Sequence, residues 1–202
     1  MNKALLAASL LIATALPAFA QEVPGTADTT KVKAGSYTVD SNHTQVAFTV
    51  NHMGFSLLHG LIGGSTGKLT LDPKAPEKST LEIEIPMSGI VTTSSELTSH
   101  LQTADFFDAA KFPTATFKSS KIQMDGDEAV ITGDLTLHGV TKEVTLEADF
   151  TGAGTNPMSK AETVGFSGET TIKRSDFGIS KFVPVVSDEV ELDLTAAFEL
   201  AK

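Results

Sequence analysis

Five histidines, a single arginine and a glycine-rich serine motif are the residues of this chain with the most chemistry to offer. His43, His52, His59, His100 and His138 carry the imidazole that binds metals or moves protons near neutral pH. Their spacings match neither H-E-x-x-H nor an i, i+4 helical pair, so no metal site is expected. Gly63-Gly64-Ser65-Thr66-Gly67 fits G-x-S-x-G. A nucleophile elbow needs a strand before the motif and a helix after it. Here Lys68-Leu69-Thr70-Leu71 follows and alternates like a strand, so the motif reads as a glycine-rich turn. Gly67-Lys68 also lacks the Ser or Thr that would complete a phosphate loop. Glu82/Glu84 and Glu147/Asp149 lie on the polar faces of alternating runs, where they read as solvent-facing charge that discourages edge pairing. No nucleophile, base and oxyanion donor come together along the sequence, so no catalysis is expected. Arg174, with Asp176 two residues on, keeps two readings. Its planar donor fork can close a structural ion pair with Asp176, or it can face the polar head of a ligand.

Those residues sit in an acidic chain without cysteine. The 202 residues hold 25 Asp+Glu against 15 Lys+Arg, for a net charge of −10 and a pI near 4.9. Such a balance argues against a nucleic-acid partner and against a broad electrostatic footprint on anionic lipid. Zero cysteines exclude disulfides, Cys-ligated zinc, iron–sulfur clusters and thiol nucleophiles. Twelve Phe against one Tyr and no Trp favour dry apolar surface, because Phe has no polar handle.

The elements that must position these residues are mostly strands. From Tyr37 onward the apolar residues recur with period two. Val46, Phe48 and Val50 share a face; so do Leu69 and Leu71, then Leu81, Ile83 and Ile85, then Leu135 and Leu137. Val144 to Phe150, Val164 to Ile172 and Val190 to Phe198 continue the pattern. Asp72-Pro73, Asp125-Gly126-Asp127, His138-Gly139 and the Gly152–Lys160 stretch mark turns and a longer loop. Thr93-Ser94-Ser95-Glu96 matches a capping box and predicts one short helix over about residues 94–104. Clean alternation without βα repeats favours an antiparallel barrel or sandwich, and closure would remove exposed strand edges. A barrel of about eight strands is either filled by side chains or hollow enough for one ligand, and both readings stand.

The N-terminus reads as an export signal. Lys3 precedes an apolar run, Ala4–Leu16, and Ala18-Phe19-Ala20 is a small-x-small cleavage site. The run is too short to span a bilayer. Residues 1–20 are thus expected as a cleaved signal peptide, 21–35 as a flexible leader, and 36–202 as the domain of an exported, periplasmic protein. Cleavage removes Lys3 and no acid, so the mature chain is one unit more negative.

A set of motifs in fixed order resembles the YceI-like family of periplasmic polyisoprenoid-binding proteins. It comprises Tyr37-Thr38-Val39-Asp40, His43 to Val50, His52 and Gly60. It continues with His100-Leu101, Asp105-Phe106-Phe107-Asp108, Phe112-Pro113 and Phe117. Gly133 to Lys142, Arg174 to Gly178 and Asp188-Glu189-Val190 complete it. The resemblance implies an all-β, extended lipocalin-like antiparallel β-barrel of about eight strands with one or two short helices. It also implies an apolar tunnel holding an isoprenoid lipid or other long amphiphile, a frequent homodimer, and no cofactor beyond that ligand. The candidate tunnel residues are Val46, Phe48, Val50, Phe55, Leu101, Phe106, Phe107, Phe117, Leu135, Leu137, Phe166, Ile172 and Phe177. The candidate head-group residues are His43, His52, His100, Arg174 and Asp176. The chain departs from the family pattern at Leu97 and Thr98, where an Arg-Asp pair is usual, and at Ile62 and Ser65, where Phe is frequent. The expected function is binding of a quinone or polyprenyl phosphate for carriage, storage or stress protection. The alternatives are a filled barrel acting through its surface and an enzyme acting on a prenyl lipid.

Overall fold

A computed structural model describes residues 23–201; the expected signal peptide at residues 1–20 lies outside them. Alternation dictates the architecture. Strands with one apolar and one polar face need a shared interior, and closing the sheet on itself supplies one. In chain order the strands are β1 (Gly35–Val39), β2 (Gln45–His52), β3 (Ser56–Gly63), β4 (Thr66–Leu71), β5 (Thr80–Pro86) and β6 (Ile90–Thr92). The helix α1 (Ser95–Leu101) intervenes. Then come β7 (Thr114–Asp125), β8 (Glu128–Leu137), β9 (Val140–Thr155), β10 (Glu162–Lys173) and β11 (Glu189–Leu200).

All pairings are antiparallel. β1 pairs with β4 while β2 pairs with β3, so β1/β2 and β3/β4 are two bent staves running side by side. β5/β6 is a third bent stave, β5 lying against β4 and β6 against β3. β7 to β11 follow as a meander. β11 closes the ring on the first stave, pairing with β2 through Glu191–Thr195 and with β1 through Phe198–Leu200. The result is a closed barrel of eight staves with one short α-helix, as expected from the resemblance.

The helix is shorter than its predicted span. Ser94, not Thr93, is the N-cap, its Oγ accepting from the Leu97 N–H at 3.2 Å. After Leu101 the chain tightens into turns, Gln102 N–H donating to Ser99 O and Thr103 N–H to His100 O.

The interior divides into two packed regions. At one end Tyr37, Leu69, Ala153, Val164 and Phe198 are buried together. There Phe150, Phe166 and Phe198 stack edge to face, with centroids 5.8 and 6.2 Å apart. This end is filled. The chain from Val23 to Lys33 lies against it: Thr26 bridges to Ala153, and the Lys33 ammonium pairs with Glu162 at 2.8 Å. The larger core cluster occupies the opposite end, beneath α1, and contains the cavity.

Candidate binding cavity

The cavity encloses about 320 Å³, at the low end of the ~300–1,000 Å³ of sites that bury a small molecule. Staves supply most of its wall. Val46, Phe48 and Val50 come from β2, Leu135 and Leu137 from β8, Ile172 from β10, and Val190 and Leu192 from β11. Leu97 and Leu101 of α1 add to it, as do Phe106 and Phe107 from the loop that follows. Ile179, Phe182 and Val186 come from the segment between β10 and β11. Among the described residues the polar ones in the lining are His52, His100 and Arg174. His52 ends β2, His100 lies in the last turn of α1, and Arg174 directly follows β10, so all three stand at the same end of the barrel.

Space in the lumen depends on one glycine. Phe48 faces Gly60 across the β2–β3 pair, and a Cβ on Gly60 would fall 2.1 Å from the ring carbon Cζ of Phe48. The missing side chain lets the ring lie along the wall. A larger residue at 60 would push it inward.

Arg174 is nine-tenths buried, and four of its five N–H donors are taken by backbone carbonyls. Nε donates to Ser187 O at 2.9 Å. Nη1 donates to Ile179 O at 2.9 Å and Lys181 O at 2.8 Å, and Nη2 to Val186 O at 3.0 Å. One guanidinium thus fastens the whole segment 179–187. The predicted ion pair with Asp176 does not form. Asp176 is exposed, and among the described residues no carboxylate lies within ion-pair distance of Arg174. Burial lowers the Arg174 pKa from its ordinary value, and the charge of Asp188 opposes that. Asp188, part of the motif set but given no role there, fixes the turn instead. It accepts from Ser175 N–H at 2.9 Å and Ser175 Oγ at 2.6 Å, and these bonds hold its carboxyl below the ordinary range.

A second device joins the two loops across the mouth. Asp105 bonds His100 Nε2 at 3.0 Å and Lys181 Nζ at 3.2 Å. Both bonds, the His100 one first, depress the Asp105 pKa. Phe106 sets its ring against His100 at 5.0 Å and lies 6.3 Å from Phe182.

Not every candidate reaches the lumen. Phe55 is at the β2–β3 hairpin tip, 87% exposed. Phe117 and Phe177 are buried in the surrounding core without lining the cavity, and Phe166 belongs to the filled end. His43 stays outside, bonded through Nδ1 to Asp40 at 2.6 Å. His59 bonds Thr49 Oγ1, and His138 bonds Phe177 O. Among the described residues no three His, Asp or Glu side chains converge as a metal site requires. Ser65 of the G-x-S-x-G run is fully buried, its Oγ unpartnered, at the β3–β4 bend. Leu58, Ile62 and Met87 line the cavity without having been singled out for it, because no clean alternation surrounds them.

Most of the chain is matched by known proteins. The profile of the YceI-like domain covers residues 37–198. This chain belongs to the YceI-like family. Its YceI-like relatives include protein YceI of Escherichia coli O157:H7, 41% identical over 161 residues, which are 79% of this chain and 84% of that one. A UPF0312 protein of Pseudomonas paraeruginosa is 38% identical over 164 residues, 80% of this chain and 85% of its own. Among solved structures, Burkholderia cenocepacia BcnA aligns with a TM-score of 0.71 at 25% identity, over 79% of this chain and 98% of BcnA. A polyisoprenoid binding domain from Saccharophagus degradans shares the fold, with a TM-score of 0.61 at 14% identity, over 84% of this chain and all of that one.

Proposed function

We propose that this YceI-like chain is an exported, periplasmic binding protein that carries or stores an isoprenoid lipid. The observation that carries the reading is the cavity's composition: an apolar lumen with three polar side chains, all at one end. That arrangement suits a molecule with a long apolar body and one polar end. Burial of the body is worth about 0.8 kcal/mol per CH₂, partly offset by ordering a flexible chain. Apolar contact is undirected, so the walls select length and girth while the polar end selects the head. His52, His100 and the one Arg174 N–H left over from the carbonyl bonds are the groups proposed to meet that head. Among the described residues the lining offers no hydroxyl, thiol or carboxylate, which favours binding over turnover. Family membership supports the reading, and a fold neighbour is itself a polyisoprenoid binding domain.

Mass spectrometry on protein purified from its own periplasm, native and then after organic extraction, tests the proposal. A stoichiometric prenyl lipid is the expected result, and its mass names the head group. A clean apo mass, with no uptake of added quinone or polyprenyl phosphate, would overturn it.

A further inference from the structure

Beside the Asp105–Lys181 pair that spans the mouth, one side of the rim carries no charge. From Ser41 to Gly67 there is no Asp, Glu, Lys or Arg, in a protein that is 20% charged. Phe182 to Val186 is also free of charge. The two segments meet: Met53 N–H donates to Val185 O at 3.1 Å, and His52 bridges to Val186. Their outward side chains are apolar and exposed, Phe55 at 87%, Leu57 at 59% and Val185 at 56%. The tip is firmly built. Met53 and Gly54 take left-handed backbone conformations, φ 59° and 73°, and Asn51 Oδ1 accepts from Gly54 N–H at 2.7 Å. Phe182 is half exposed in this patch and also lines the cavity, so it joins the patch to the lumen, with the Lys181 ammonium 5.4 Å from its ring.

We propose that this hairpin tip, with the 182–186 segment, docks the barrel mouth-first on a lipid bilayer. Its purpose rests on the binding reading above, but the docking itself does not require a bound ligand. Geometry favours a bilayer over a second protein. A stable protein interface takes about 20–30 residues a side, whereas a hairpin tip presenting Met53, Phe55 and Leu57 offers a few exposed apolar side chains, which suits insertion into a deformable acyl layer. The chain's own leader is held elsewhere, since Thr26 bridges to Ala153 at the filled end. Charge defines the kind of surface. An acidic protein is repelled by anionic lipid, and an uncharged tip gains nothing from it, so the favoured surface is zwitterionic.

Cosedimentation with phosphatidylcholine vesicles tests this, with Phe55→Asp as the variant, because that side chain is exposed and the fold can be checked by circular dichroism. The protein should pellet with the vesicles and stay bound in about 0.5 M salt, where charge effects are screened. Phe55→Asp should lower the bound fraction about tenfold or more, the scale of one lost apolar anchor. Absence of binding, or a variant that binds as well as the parent, would overturn the proposal. So would light scattering that shows a dimer which Phe55→Asp converts to monomer, since the patch would then face a second copy. Failure of the binding reading would appear separately, as an empty cavity in the extraction experiment.

Discussion

Arg174 was legible in the sequence as the sole arginine, but its role was not. The sequence offered Asp176 or a ligand as partner, because side-chain charges can be read from sequence. Its actual partners are backbone carbonyls, which every residue has and no sequence pattern marks. The consequence is testable. Arg174→Ala leaves four carbonyls of the 179–187 segment without their donor, and should cost at least about 4 kcal/mol at roughly 1–3 kcal/mol for each group left unpaired. Thermal unfolding would show the loss. Neutral and anionic prenyl ligands should both be weakened, because both lose Phe182 and Val186 from the wall, and the anionic ones more, because they also lose the remaining Arg174 N–H. A loss confined to anionic ligands, with stability unchanged, would show instead that the guanidinium acts mainly on the head group. Ser65 shows the reverse case: its motif was conspicuous and its surroundings hold no chemistry.

At the scale of elements, legibility followed wetness. Strands with one solvated face, such as β9 and β11, announced themselves by alternation. β3 did not, because Leu58 and Ile62 face in while Leu57 and Leu61 face out. A strand apolar on both faces has no period to read, and here that absence marks the mouth. The link between the two loops across that mouth has a definite pH dependence. The His100 and Lys181 bonds lower the Asp105 pKa below an Asp's ordinary 3.8 in the joined state. The link is therefore fully present above that ordinary value and is lost as the pH falls through the lower, joined-state value. Ligand release should accelerate in this acid window, and Asp105→Asn should release faster at neutral pH with little further acceleration on acidification. Stopped-flow release of a fluorescent prenyl analogue measures both. Equal pH profiles for parent and variant would remove Asp105 from the mechanism.

For the whole molecule, the closed wall was legible, because clean alternation on many strands leaves few other ways to hide edges. Whether the barrel was hollow was not, since that depends on ring orientations such as Phe48 against Gly60. Charge is also distributed at this scale. Glu147 stands opposite Glu169, Glu169 opposite Asp193, and Asp134 opposite Glu143. Like charges directly across a pair destabilise a sheet, and the net charge of −10 adds to the strain. Raising salt from about 0.01 M to about 0.5 M shortens the screening length severalfold, so the melting temperature at pH 7 should rise by a few degrees. A fall would mean that the exposed ion pairs outweigh the repulsion.

The closing pair of the barrel joins opposite ends of the chain. Tyr37 and Val39 complete their ladder only when Leu200 and Phe198 arrive, while every other seam joins staves adjacent in sequence. A chain that emerges from a pore N-terminus first therefore holds an open sheet, with β1 and β2 lacking one partner, until β11 has emerged. Closure of that long loop is the slow, topologically costly step of folding. Loss of the last strand would leave an unclosed sheet rather than a smaller barrel, with its lumen open to water.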